Sequence, residues 1–278
     1  MAAVLIIIDI IVIGYFMSLF FTGSNQQNEP TPLHVSQWSG YMIAPDVQDQ
    51  SPLVTGVNAS WRVPNVKPSE KNTFSGVWVG IGGYGEDTLI QIGTEQEYID
   101  GKVSYYSWYE LLPAHLVRIS DLNVRPGNVI MASINLASQN SNTWSIEIND
   151  VTTGKYFKKT VVYNSSMRSA EWIVERPLVN NDISTLANFG NVTFTECQAT
   201  INGVTGTLGN FSYTRLIMHD DDIPLVSVSS LNEMRTGFTV NYIEPPTVTT
   251  LVDDAKVQNF VVFLSSVNSN RKKGLNLK

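Results

Sequence analysis

A single cysteine, Cys197, in 278 residues excludes any disulfide within the chain. The histidines are His34, His115 and His219; they stand far apart without metal-ligand spacing, and no metal or cofactor is expected. The chain contains no G-x-S-x-G nucleophile elbow and no H-E-x-x-H helix, so the serine and zinc routes to hydrolysis are both unwritten. Charge is sparse: charged residues make up 15% and the net charge is −7. The one basic cluster, Arg271–Lys273, reads as a solvated tail, and nucleic acid is excluded as a partner. After residue 23 no stretch sustains the 3.6-residue apolar period of an amphipathic helix.

Short β-type runs fill the space left by these absences. They include Ser60–Val63, Gly76–Ile81, Val103–Leu111, Val129–Leu136, Trp144–Ile148, Tyr156–Tyr163, Asn191–Thr195, Phe238–Tyr242 and Val257–Ser265. Turn residues separate them, as at Arg125–Asn128, Asn149–Gly154, Asn202–Gly203 and Thr236–Gly237. Gly80–Gly85 spells G-x-G-x-x-G, but Thr88–Gly93 after it reads as strand where a dinucleotide site needs a helix. Those glycines are expected to form a tight turn. Cys197 reads as a small buried hydrophobe. The pattern predicts an all-β fold, an antiparallel two-sheet β-sandwich of concanavalin-like form.

The N-terminus differs. Ala2–Phe21 is almost wholly apolar, long enough to span a bilayer, and has no Lys or Arg before it. The expected organisation is a membrane anchor or signal helix over residues 1–22, a polar linker over 23–33, a sandwich over 34–243 and an extension over 244–278. An anchored or secreted extracellular monomer follows, with the membrane as partner of the N-terminal helix. Sequons at Asn58, Asn164, Asn191 and Asn210 suit an exported surface.

Two of the strands carry polar residues suited to chemistry. In Thr88–Gly93, Leu89 and Gln91 share one face; in Ser169–Arg176, Glu171, Ile173 and Glu175 share one face. An acid and an amide brought together on a sheet surface supply a general base and an oxyanion donor without Ser, Cys or metal. A polar strand residue can equally do no more than face water. Of the six tryptophans, Trp108 stands out, because Tyr106, Trp108, Glu110 and Leu112 share a face. Aromatic and acidic residues mixed on one face suit a groove for peptide or sugar.

At these residues the chain resembles the glutamic peptidases, also called eqolisins or peptidase family G1. The matching pieces run in order: Trp38–Gly40, Trp78–Gly82, Leu89–Gly93, Tyr106–Glu110, Pro126–Gly127, Ala170–Glu175 and Phe189–Phe194. The resemblance covers about Val35 to Tyr242. It implies a bent sandwich with a groove on its concave face and an acid-active, pepstatin-resistant endopeptidase acting on polypeptide. The family's catalytic glutamine falls on Gln91 and its catalytic glutamate on Glu171, with groove tryptophans at Trp78 and Trp108. Glu95, Glu110 and Glu175 are expected to meet substrate. Gly82 stands where fungal members carry an aspartate, and Glu95 replaces another groove acid. The alternative is a non-catalytic lectin-like or adhesion sandwich binding glycan or peptide at the cell surface.

Overall fold

Among the described residues the apolar runs fold as strands, and those that read as nearly continuous apolar are covered on both faces. The computed structural model describes residues 30–44, 53–138 and 140–245. Among them are nineteen strands and one short 3-10 turn, Leu208–Asn210. The first sheet contains β1 (Leu33–Val35), β2 (Trp38–Ile43), β4 (Thr73–Gly82), β5 (Leu89–Ile99), β6 (Lys102–Leu111), β7 (Val117–Arg118), β11 (Ala170–Glu175) and β16 (Thr214–Asp220). Their order is β1-β16-β2-β11-β4-β5-β6-β7, with β17 (Ile223–Pro224) beside β16.

The second sheet contains β3 (Val54–Arg62), β8 (Val129–Ser138), β9 (Thr143–Asp150), β10 (Lys155–Val162), β14 (Asn191–Ile201), β18 (Val226–Val228) and β19 (Phe238–Tyr242). It is ordered β10-β9-β8-β3-β14-β19-β18, with β15 (Val204–Thr207) beside β14. A separate hairpin pairs β12 (Leu178–Val179) with β13 (Asp182–Ile183).

The sandwich has the expected class, and among the strand pairs of the described residues one is not antiparallel: β1 joins β16 in parallel, Leu33 opposite Leu216. Ser36 and Gln37 carry the chain from one side of β16 to the other, so β1 and β2 flank that strand in opposite directions and one of them must be parallel. The expected N-terminal helix and the Val257–Ser265 run lie outside the described residues. Among the described residues no helix is long and apolar enough to cross a membrane.

The core lies between the sheets. Tyr41, Val77, Val79, Ile90, Ile92 and Trp172 face Trp61, Ile130, Trp144, Ile146, Phe194 and Val240. Each such side chain contributes about 1.5–3 kcal/mol by leaving water. The Trp172 indole N–H donates to the Asn58 carbonyl (2.9 Å) and the Trp61 indole N–H to the Thr94 hydroxyl (3.1 Å), so the two large rings are also pinned across the sandwich. Cys197 sits in this core, as its type predicts.

The two sheets differ on their outer faces. In β8 and β9 buried residues alternate with exposed ones, as for a sheet with one face in solvent. In β4, β5 and β11 almost every residue is buried. The outer face of the first sheet carries its own apolar cluster: Met42, Trp78, Leu89, Trp108, Ile173 and Leu216. This second cluster frames the polar residues singled out in the sequence.

Candidate active site

Strand register fixes which residues meet on that outer face. Glu171 on β11 pairs with Gly80 on β4, Gly80 with Gln91 on β5, and Gln91 with Glu110 on β6. Directly paired residues point to the same face, so Glu171, Gln91 and Glu110 stand in one row. Two residues further along, the row is Ile173, Trp78, Gly93 and Trp108. The next is Glu175, Gly76, Glu95 and Tyr106. Acids thus occupy the two outer rows and an apolar row lies between them.

Glycines make the rows possible. Gln91 and Glu171 are two strand spacings apart, about 9.5 Å between backbones. A Cβ at Gly80 would lie 3.3 Å from Glu171 Oε2, which places that carboxyl over β4 on its way toward β5. The same Cβ would collide with Trp78 Cζ3 (2.7 Å) and Leu89 Cδ1 (2.9 Å). A strand glycine here marks a close approach of neighbouring groups.

Glu171 is fully buried, at 0% exposure, and Gln91 is 4% exposed. Neither oxygen of Glu171 has a hydrogen-bond partner in the protein, nor does Gln91 Oε1. Burial pushes the Glu171 carboxyl up to about 8; the Ser169 hydroxyl is near enough to pull it down slightly but does not form a bond to it. The value lies well above that of a free glutamate, about 4.3. A carboxylate taken out of water with no donor bonded to it holds its proton.

The Gln91 amide nitrogen donates to Glu110 Oε2 at 2.7 Å. Burial raises the Glu110 carboxyl, while the Gln91 bond, the Leu116 backbone N–H and His115 oppose the rise. In the far row Glu175 accepts from two indoles, Trp78 Nε1 at 2.8 Å and Trp38 Nε1 at 3.2 Å. Burial raises Glu175 to about 7 despite both bonds, with the Glu110 charge adding to the rise. Glu95 is raised well above the usual carboxylate range, first by burial and then by Glu175 and Glu97.

A cavity of about 440 Å³ opens over this face. Trp38, Gln91, Glu95, Trp108, Glu110 and Glu175 are among its lining residues. His115 and Leu116, from the segment after β6, form part of its wall. A hollow of about 490 Å³ elsewhere, between Asn210, Tyr213 and Arg235, has no acid in its lining and no chemistry of this kind. Among the described residues no cluster of three or more potential ligands could hold a metal ion.

A family model described as the Peptidase A4 family matches residues 36–242. The chain belongs to this family. It is 29% identical over 210 residues to aspergillopepsin-2 of Aspergillus niger, covering 74% of this chain and 72% of that protein. It is 28% identical over 206 residues to scytalidopepsin B of Scytalidium lignicola, covering 70% of this chain and 75% of that protein. The fold matches a crystal structure of scytalido-glutamic peptidase with a transition-state analogue inhibitor, with a TM-score of 0.63, 22% identity and coverage of 75% of this chain and 98% of that one. The eqolisin resemblance seen in the motifs is the family of this chain.

Of the residues named from sequence, Gln91, Glu95, Glu110, Trp108 and Glu175 line the cavity of this A4-family protein. Trp78 does not: it is 0% exposed and lies beneath Trp38, whose ring meets it edge-on at 5.1 Å. Glu171 adjoins the cavity row but is closed off from solvent. Sequence reasoning missed Gly80, Gly76 and Gly93 as spacers, and missed Trp38 as a cavity residue. The signal for the first was available, since a glycine recurring inside a strand that also carries Trp invites the question of what comes close. It also missed that His34 and His219 stack at 4.1 Å, because their strands β1 and β16 are far apart in sequence.

Proposed function

We propose that this chain is an endopeptidase in which Glu171 and Gln91 activate a water for attack on a peptide carbonyl. The observation that carries the reading is the shared register of the two residues on either side of Gly80, with the Glu171 carboxyl leaning over it. Glu171 and the Gln91 carbonyl offer acceptor oxygens without protein partners in a single row. That is the chemistry of a cradle for one polarised water.

Ionised Glu171 takes a proton from the water as its oxygen attacks the carbonyl carbon. The Gln91 amide donates to the developing oxyanion, an effect of about 3 kcal/mol for one such donor. Glu171 then gives its proton to the amide nitrogen as the C–N bond breaks, which restores the carboxylate. A pKa near 8 suits the second half of this cycle, because the captured proton is held until a nitrogen is ready to take it. The first half requires donors to reach the carboxylate; a water and the substrate backbone supply them and lower the pKa at that moment.

Substrate recognition follows from the lining. The Trp108 indole N–H is buried without a protein partner beside the cavity and can donate to a peptide carbonyl. Glu95 and Glu175, held toward their neutral forms, add O–H donors in acid. The lectin-like alternative has no use for a sealed acid facing an amide across a glycine. Digestion of casein across roughly pH 2 to 7, with and without pepstatin and with Glu171→Gln as control, tests the reading. Hydrolysis that persists unchanged in Glu171→Gln would remove its basis.

Export of the domain is supported by the apolar Ala2–Phe21 stretch and the polar linker after it. N-terminal sequencing of the mature protein separates a cleaved signal, which starts it near Gly23, from a retained anchor. Protection of the domain from external protease in intact cells would overturn an extracellular placement.

A further inference from the structure

We propose that Glu110 is a positioning residue that sets which atom of the Gln91 amide faces the catalytic water. The proposal rests on the reading of Gln91 and Glu171 as the catalytic pair. It differs from the sequence expectation that Glu110 acts by touching substrate, and the kinetics below separate the two.

A glutamine side chain ends in a nearly symmetric group. Rotation about its last torsion is broad and roughly two-fold, and it exchanges a carbonyl acceptor for an NH₂ donor at almost the same position. An unrestrained Gln91 would therefore present the wrong atom for part of the time. Glu110 removes that freedom. It stands directly opposite Gln91 in the β5–β6 register, and its Oε2 accepts from Gln91 Nε2 at 2.7 Å. With the amide nitrogen committed to Glu110 on β6, the oxygen is the amide atom left for the β4 side of the row, where Glu171 stands. That oxygen is buried and has no protein partner.

The assignment gives each Gln91 atom one task. Oε1 accepts from the attacking water, one N–H is committed to Glu110, and the second N–H is left for the oxyanion. The Leu116 backbone N–H lies close enough to Glu110 to oppose the rise of its carboxyl. A protonated Glu110 still has a carbonyl oxygen to accept the bond, so the restraint survives in acid.

Four variants read the proposal: Glu110→Leu, Glu110→Gln, Gln91→Ala and the double variant Gln91→Ala/Glu110→Leu. Glu110→Leu is expected to lower kcat by ~10- to 100-fold with KM within about twofold, since misplacement of a reacting group costs turnover. Glu110→Gln keeps an acceptor oxygen and should fall between wild type and Glu110→Leu. In the Gln91→Ala background Glu110→Leu should cost nothing further. A rise in KM with unchanged kcat would assign Glu110 to substrate binding. Equal losses in Glu110→Gln and Glu110→Leu, or the same loss with and without Gln91, would also overturn the proposal.

NMR supplies a readout that does not depend on turnover. The Gln91 side-chain NH₂ signals, identified by their disappearance in Gln91→Ala, should include one downfield proton in wild type that moves upfield in Glu110→Leu. Unchanged signals would overturn the positioning role. Full activity in Gln91→Ala would instead defeat the catalytic-pair reading, leaving the NMR result to judge the hydrogen bond on its own.

Discussion

Gln91 and Glu171 share one cross-strand partner, Gly80, and the Glu171 carboxyl lies over its bare Cα. The far acid row repeats the arrangement, with Glu95 Oε2 3.0 Å from where a Gly76 Cβ would stand and Glu175 on the other side of that glycine. The two rows differ in their hydrogen bonds. Glu175 is held by two indoles, whereas both oxygens of Glu171 have no protein partner. The free carboxyl is the one suited to act on a water.

Glu171→Gln should therefore lower peptide hydrolysis by ~10²- to 10⁴-fold, the range for loss of a general acid–base. Gln91→Ala should cost ~10²- to 10³-fold, the range for one oxyanion donor. Both should melt cooperatively as folded proteins. Steady-state rates on a peptide substrate check this, and a full loss in Glu175→Gln with activity retained in Glu171→Gln would exchange the two roles.

Gly80→Ala places a methyl within 2.7 Å of Trp78 Cζ3, 2.9 Å of Leu89 Cδ1 and 3.3 Å of Glu171 Oε2. Overpacking of this kind costs about 1–3 kcal/mol. The same methyl fills the space between acid and amide, so activity should fall by at least about tenfold even in the fraction that stays folded. Urea unfolding and specific activity, measured on one preparation, separate the two effects.

Trp78 and Trp108 should behave differently although they stand in the same row. Trp78 is fully buried and donates to Glu175, so Trp78→Phe should cost about 1–3 kcal/mol by leaving that carboxyl one donor short. Trp108 is 3% exposed, lines the cavity and has a free indole N–H, so Trp108→Phe should act mainly by raising KM. A large KM effect in Trp78→Phe with none in Trp108→Phe would contradict the geometry.

The raised carboxyls predict a protein more stable in acid than at neutral pH. Glu171 and Glu175 rise from 4.5 to about 8 and about 7, and Glu95 rises in the same direction. Between the unfolded and folded values the native state binds more protons than the unfolded state, so stability falls as pH rises. The stability is fully present below about 4.5 and is lost as the pH passes through about 7 and about 8. At about 1.4 kcal/mol per pH unit and group, the loss is on the order of several kcal/mol. Thermal melts from pH 4 to 8.5 should show Tm falling, and Glu171→Gln should flatten the fall and raise Tm at the alkaline end.

The strands were legible where a run combined β-branched and aromatic residues between turn signals, as in β4, β6, β8 and β9. β2 and β16 were not picked out from pattern. β2 carries Ser39 and Gly40, the latter at φ +135°, and β16 mixes Arg215 and His219 with its apolar residues. Each is a strand because it has neighbours on both sides, which sequence period does not record. The alternation of side chains within β5, β6 and β11 did place Gln91, Glu110 and Glu171 on definite faces, since a two-residue period is a property of the extended chain itself.

The sequence by itself determined the all-β class and the presence of an acid and an amide in ordered motifs. Those follow from composition and local periodicity, which need no partner strand. Only the tertiary structure decided that Gln91 and Glu171 stand in one row, because that depends on β4 lying between them with a glycine at the shared register position. It also decided that Glu171 is a weak acid, that Trp78 supports the cavity without lining it, and that Glu110 holds the Gln91 amide. Burial, register and desolvation belong to the assembled sheet, and no single strand carries them.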